Sequence, residues 1–450
     1  MTDPTLHLLV EKGIRGGVSM ITTRYSQANN KYMKSYDPSQ ESKYIIYLDC
    51  NSLYSTAMLE PLPHSGIRWS DWETYRNNKN KNIGYFLEVD LEYPDELHNL
   101  HNDYPLAPEK MNGKLIPNLL PKTKYVLHYK ALEKYLDLGM KIKSVGRVIQ
   151  FNQSAWLAPY VQFNINKRVQ TTNSFEIQFY KDLNNSLFGK TMENQRKYKN
   201  IRLVLESGLE KYVRMNSFCT TKEFDNNLHL VHLLKLTVQL TKPIYLGMSI
   251  LDLSKITMYE FHYDYMSKFP NKKLLFTDTD SLCYEIVTDD FYREILPDLT
   301  ERFDTSNYNP ELNTHFLYTK DNYKKTGKFS DELGGKILFE FVGLKPKCYA
   351  FITDDWVLKN EEDRRRLEKK VCKGVDRATI KHLMRYSDYV KCLKTNTTLE
   401  REVTRINSKN HHLTTVSSHK IVLSADDDKR VPIQDSFHTL AIGHYSLREL

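Results

Sequence analysis

Thr277-Asp278-Thr279-Asp280-Ser281 sets two carboxylates one residue apart between two strand-like runs, Lys273 to Phe276 and Leu282 to Val287. Mutual repulsion makes such a pair costly unless positive charge sits beside it, and a divalent cation is the natural partner. Another acid occupies a similar setting. Tyr44-Ile-Ile-Tyr-Leu48 is an apolar run of strand length that ends on Asp49. Oxygen ligands from Asp49, Asp278 and Asp280 suit Mg²⁺, which keeps waters and shares positions with substrate phosphates. Two such ions activate an attacking hydroxyl and stabilise the leaving oxygen of an in-line phosphoryl displacement. Taken alone, Asp-Thr-Asp-Ser reads equally well as a solvated turn. Its neighbours in the chain shift that balance.

Between the acidic segments runs a helical pattern with two different faces. Phe175, Phe179, Leu183 and Leu187 recur every fourth residue as an apolar stripe. Lys181, Asn185 and Phe188 share another face at i, i+4 and i+7. Gly189 then frees the backbone for a close approach. A lysine pairs readily with nucleotide phosphates, and Phe188 offers a flat surface to a base.

For these residues to meet, the strand ending at Asp49 and the hairpin carrying Asp278 and Asp280 must share one sheet. In sequence order, Asp49-Cys-Asn-Ser-Leu-Tyr54, Lys181-Asp-Leu-Asn-Asn-Ser-Leu-Phe-Gly189 and Asp278-Thr-Asp-Ser281 resemble the A, B and C motifs of family B DNA polymerases. Those motifs read D-x-x-S-L-Y-P, K-x-x-x-N-S-x-Y-G and D-T-D-S. Lys347-Cys-Tyr349 is similar to the K-x-Y motif of the protein-primed members. The resemblance is closest to polymerases of Polinton (Maverick) transposons and related viruses. It extends through Gly13-Ile-Arg-Gly-Gly-Val18, Gly189-Lys-Thr-Met-Glu-Asn194, Leu251-Asp-Leu-Ser-Lys255, Glu340-Phe-Val-Gly-Leu344, Asp427-Asp-Lys-Arg430 and Thr439-Leu-Ala-Ile-Gly-His444. Three positions depart from the family pattern. Ser55 replaces the proline of motif A, Phe188 the tyrosine of motif B, and Ile14 the aromatic of Y-x-G-G.

The resemblance implies an α+β right-hand polymerase fold with an antiparallel palm sheet, helical fingers, a thumb and insertions like terminal-protein regions. Residues 1–40 carry the Y-x-G-G-like motif, 41–65 and 247–355 the palm, 66–140 the first insertion, 141–200 the fingers, 201–246 the second insertion and 356–450 the thumb. It implies a DNA-directed DNA polymerase, a nucleotidyltransferase extending a primer 3′-hydroxyl with dNTPs on a DNA template, with a terminal protein as a possible primer.

By the same resemblance Asp49, Asp278 and Asp280 are the catalytic acids and hold two Mg²⁺ ions, which Mn²⁺ can replace, Asp278 lying in or just outside the inner shell. Ser52, Leu53, Tyr54, Lys181, Asn185 and either Lys167 or Arg168 meet the nucleotide, with Tyr54 as the steric gate against a 2′-hydroxyl. Gly16, Gly17, Ser186, Gly189, Ser281, Lys347 and Tyr349 contact DNA. In this family a proofreading exonuclease precedes Y-x-G-G, and few residues precede Gly16, so the expectation is a polymerase half without editing. Asp90-Leu-Glu92 imitates an exonuclease Asp-x-Glu but follows motif A, and reads as surface chemistry.

Two rival readings fit the same segments. Reverse transcriptases favour adjacent aspartates, whereas Thr279 separates Asp278 from Asp280. A domesticated transposon fragment that binds DNA without copying it is the non-enzymatic alternative, and the intact motif acids with Lys181 argue against it.

Composition agrees. The 450 residues, 40% hydrophobic, suffice for about three domain-sized units or one multi-lobed enzyme. Net charge is only +8, but basic residues cluster at Lys122/Lys124, Lys141/Lys143, Arg196/Lys197/Lys199, Lys324/Lys325/Lys328, Arg364 to Arg366 and Lys369/Lys370. With 30 tyrosines interleaved they suit a surface that tracks phosphates and stacks bases. Six cysteines without C-x-x-C spacing indicate neither a zinc site nor a disulfide framework, and point to a reducing compartment. His411-His412 lie in a polar stretch and read as exposed. Without a signal peptide or a membrane-length apolar run, the expectation is a soluble intracellular protein of nucleus or cytoplasm that makes no membrane contact.

Overall fold

The computed structural model describes residues 3–312, 314–357, 359–409 and 412–448. At its centre a six-stranded sheet has the order Ser19–Ile21, Lys272–Asp278, Ser281–Val287, Lys43–Cys50, Phe329–Asp331 and Phe303–Asp304. All pairings are antiparallel except the last, at the sheet edge. The run from Tyr44 to Leu48 is nearly all apolar because both faces of its strand are covered. Tyr44, Ile46 and Leu48 pack into a core with Met258, Tyr259 and Phe261. Ile45 and Tyr47 face the opposite core, with Phe276, Phe341 and Tyr349.

That second core is closed by another antiparallel sheet, ordered Lys369–Cys372, Cys348–Thr353, Leu338–Lys345 and Tyr25–Gln27. Lys347 and Tyr349 therefore belong to this layer, not to the central sheet. The ring of Tyr349 stacks on Phe276, centroids 4.5 Å apart, and fixes one layer over the other.

Between the two halves of the central sheet the chain makes three excursions. The first is a four-stranded antiparallel sheet ordered Leu62–Ser70, Lys141–Ser154, Ile83–Glu92 and Lys122–His128. Lys141–Ser154, expected among the helical fingers, is instead the long inner strand of this sheet, paired on both sides. Next come the antiparallel helices Ala158–Gln170 and Ser174–Thr191. The second begins at an Asn173 cap whose side chain accepts from the Phe175 N–H at 2.9 Å. The third is a three-stranded sheet of Asn200–Leu205, Leu228–Leu233 and Phe218–Asp225 with the helix Glu206–Val213.

The helix Ile244–Tyr259, apolar on nearly every side, then returns through the interior against the short helix Leu53–Met58. Beyond the second sheet lie the helices Arg377–Leu383 and Tyr386–Thr395 and the long hairpin Leu399–Lys409/His412–Leu423. His412 is exposed at the start of its strand, and His411 lies outside the described residues. Among the described residues no helix is long and apolar enough to cross a membrane.

Several expectations are corrected by burial. Phe175 and Phe179, read as half of an apolar stripe, are 75% and 47% exposed, their rings stacked on each other. Lys122 is buried with its ammonium 3.0 Å from Glu109. The Lys370 side chain is likewise enclosed, paired with Glu368 at 3.0 Å. Arg196 pairs with Glu11, and Arg364 packs over the Trp356 ring. Lys122 and Lys370 are thus enclosed, ion-paired groups of the fold, whereas Arg196 stays exposed.

Candidate active site

The hairpin tip and the end of the Asp49 strand meet directly. Asp49 is the register partner of Ser281, and the Cys50 N–H donates to the Asp280 carbonyl at 2.7 Å. The turn is tight, with Thr279 at φ +66°, left-handed backbone that a β-branched residue rarely adopts. It is held from the other side, where the Thr279 N–H donates to the Val18 carbonyl at 2.7 Å. Gly17 permits that approach, since a Cβ there would lie 2.4 Å from Thr279 Oγ1. Gly16, by contrast, has open space around it.

The acids differ in their surroundings. Burial, then the charges of Asp280 and Glu332, push the Asp49 carboxyl up to about 8, with Lys181 opposing. Burial also raises Asp280, with Asp278 and Glu332 adding to the effect. Asp278 is held apart: its Oδ1 lies 2.5 Å from the Lys347 ammonium. Lys347 occupies the turn after Pro346 at φ +62°, the position where a type II turn ordinarily takes glycine. Two enclosed carboxyls with Lys181 as the cation acting on both form an arrangement that a bound divalent ion relieves. Among the described residues no three of Asp, Glu, His and Cys converge closely enough to cage an ion unaided. Mg²⁺ is ordinarily held by one or two carboxylates plus waters and substrate phosphates, so Asp49 and Asp280 fit it.

Beside these acids opens a cavity of about 400 Å³, lined by residues of three helices as well as Asp49 and Asp280. Ser52 comes from the turn after the Asp49 strand, at φ +53°, and Leu53 and Tyr54 from the start of the helix Leu53–Met58. Lys181, Asn185 and Phe188 enter from one face of the helix Ser174–Thr191. The Phe188 ring stacks on Tyr54 with centroids 4.3 Å apart. Of the two basic residues left open by the sequence, Arg168 lines the cavity and donates from Nη1 to Ser52 Oγ at 3.1 Å. Lys167 is not among the lining residues, and its ammonium lies 5.7 Å from the Phe163 ring centroid.

Other expected residues lie elsewhere. Ser281 is buried, its hydroxyl donating to the Asp278 carbonyl at 3.4 Å, so it belongs to the hairpin and not to a surface. Tyr349 is buried too, its hydroxyl 3.4 Å from that of Tyr47. Ser186 and Gly189 are exposed on the fingers helix, outside the cavity lining. The Asp90 carboxylate accepts from the Lys124 N–H and the Ser144 hydroxyl, each at 2.6 Å, within the first insertion.

Residues 26–267, more than half of the chain, match the family described as DNA polymerase type B, organellar and viral. The chain belongs to this type B polymerase family. No curated protein sequence matches it. Among solved structures, phi29 DNA polymerase complexed with primer-template DNA and incoming nucleotide substrates matches at 14% identity and TM-score 0.54. The alignment covers 94% of this chain and 63% of that one. The phi29 binary complex with primer-template DNA matches at 13% identity and TM-score 0.56, covering 93% and 63%. These likenesses establish the right-hand polymerase fold for a chain that spans under two thirds of the length of the structures it matches.

Three site features of this type B polymerase chain escape a reading of its motifs. Glu332 follows the three-residue strand Phe329–Asp331, and its N–H donates to the Tyr47 carbonyl at 2.9 Å, bringing a further negative charge toward Asp49 and Asp280. Tyr180 lines the cavity next to Lys181. Asn184 lines it from within, joined to Asn164 and Ser55. None carries a sequence signal, because each depends on which elements pair in space.

Proposed function

We propose that this chain is a DNA-directed DNA polymerase that adds deoxynucleotides to a primer 3′-hydroxyl on a DNA template, with a terminal protein as its primer in the manner of protein-primed relatives. The observation that carries this reading is the junction of Asp49 with the Asp280 turn beside a cavity into which Lys181 and Arg168 project. Asp49 and Asp280 would hold the metal ions, with Asp278 outside them and oriented by Lys347. When bound, a pair of Mg²⁺ ions supplies Lewis acidity at the attacking hydroxyl and at the leaving pyrophosphate.

The side chains do the positioning. Lys181 and Arg168 meet the triphosphate, and Asn185 and Phe188 border the nascent base pair. The Tyr54 ring closes the floor where a 2′-hydroxyl would sit. Lys347, half-buried beside Asp278, steadies the primer end, while Tyr349 supports it from the core. The sheets of residues 62–154 and 200–233 take the places of terminal-protein regions, and the hairpin 399–423 that of a thumb gripping duplex.

Primer extension tests the reading. The protein, a primed DNA template, four dNTPs and Mg²⁺ should give full-length product, and an RNA template should support far less. DNA binding without any extension in Mg²⁺ or Mn²⁺ would instead identify a DNA-binding fragment.

A further inference from the structure

Tyr54 sits on a helix of only six residues, Leu53–Met58, too short to hold its place by its own hydrogen bonds. Both fingers helices grip it. Arg168 Nη1 donates to Ser52 Oγ at 3.1 Å. One turn earlier on the same helix, Asn164 Nδ2 donates to Asn184 Oδ1 at 2.8 Å, and Asn184 Nδ2 donates to Ser55 Oγ at 3.4 Å. Asn164, Asn184 and Ser55 are 1%, 4% and 4% exposed, so this chain of amides and hydroxyl is shielded from water. One turn beyond Asn184, Phe188 stacks on Tyr54 itself.

Two of the three groups lie where the family motifs do not ask for them. Ser55 stands at the proline of motif A, and a proline could accept nothing from Asn184 through its side chain. Asn184 fills a position that motif B leaves open. Both line the cavity, and their hydrogen bond ties the helix of Tyr54 to the helix of Phe188.

We infer that Asn164, Asn184 and Ser55 are positioning residues for sugar selection: their buried relay locks the gate helix to both fingers helices and holds the Tyr54 ring where a ribose 2′-hydroxyl does not fit. The inference rests on the polymerase reading above.

The test compares Ser55→Ala, Asn184→Ala, the double variant and Ser55→Thr in primer extension with dNTP and rNTP. Ser55→Ala deletes a single oxygen, and is expected to cut the ratio of kcat/KM for dNTP over rNTP about tenfold, the factor a net hydrogen bond carries. The change should appear as a lower KM for the ribonucleotide. Asn184→Ala should give the same loss, the double variant no more than either, and Ser55→Thr, which keeps a hydroxyl, should restore the ratio. A wild-type ratio in Ser55→Ala, or losses that add in the double variant, would overturn the inference.

Amide hydrogen exchange over residues 53–58 gives a readout independent of catalysis. It should quicken in Ser55→Ala and Asn184→Ala but not in Ser55→Thr, and unchanged exchange overturns the relay. Coupled exchange in a wild type that extends no primer would sink the polymerase reading and the sugar-selection role together, leaving the relay as a packing device.

Discussion

The Lys347 ammonium lies 2.5 Å from Asp278 Oδ1, so the first acid of the hairpin is paired while Asp49 and Asp280 face each other. Lys347 holds this contact from left-handed backbone at φ +62°. Lys347→Gly and Lys347→Ala should both lower primer extension by removing the charge. They should differ in stability, the glycine variant being more stable by about 1 kcal/mol because it adopts the turn without strain. Thermal unfolding of the two variants checks this. Equal melting temperatures would mean that the turn relaxes without cost.

Asp280→Asn keeps the size of the side chain and removes its charge. Mg²⁺-dependent extension should be abolished, with primer-template affinity changed by less than about threefold, since the phosphate backbone dominates such binding. Extension at the wild-type rate would remove Asp280 from the metal site.

Lys181 and Arg168 should separate into different roles. Lys181 is exposed and its charge opposes the raised carboxyls of Asp49 and Asp280, so Lys181→Ala should raise the dNTP KM about tenfold with little change in melting temperature. Burial depresses the Arg168 guanidinium, which also anchors Ser52. Arg168→Ala should therefore cost stability as well, about 1 to 3 kcal/mol for the bond and packing lost. Steady-state kinetics with calorimetry distinguishes the two patterns.

Gly17→Ala would drive a methyl group into Thr279. The expected cost is about 1 to 3 kcal/mol, with loss of extension as the Asp278–Asp280 turn shifts. Thr279→Gly removes the obstructing side chain and suits the φ of +66°, so the double variant should recover most of the lost stability. Additive losses in denaturant unfolding would argue against the contact.

Tyr54→Ala should admit ribonucleotides by removing the ring that Phe188 stacks upon. Unchanged sugar discrimination in single-nucleotide incorporation would discredit the gate.

The acids were legible because each interrupts or ends an apolar run, as Asp49 does after Tyr44 to Leu48. The cavity face of Lys181, Asn185 and Phe188 was legible from helical periodicity alone. The sheet of the first insertion was only half visible. Lys141, Lys143 and Arg147 make the start of the strand Lys141–Ser154 look like a polar, charged surface, although its later residues Val148 to Phe151 lie buried. Lys122 misled for a related reason: a lysine in a basic run gives no sign of a Glu109 thirteen residues earlier that neutralises it. Glu332 and the Asn164–Asn184–Ser55 relay arise from long-range pairing, which no local pattern encodes.

The central sheet draws its strands from residues 19 to 331, with three excursions between Lys43–Cys50 and Lys272–Asp278. Pairings so distant along the chain are slow to form. During synthesis the excursions emerge while the central sheet still lacks its second half, and Asp49 waits unpaired until the ribosome has delivered Ser281 and then Ser330. The proposed polymerase activity thus depends on pairings that form last, so specific activity per molecule would double as a sensitive gauge of complete folding.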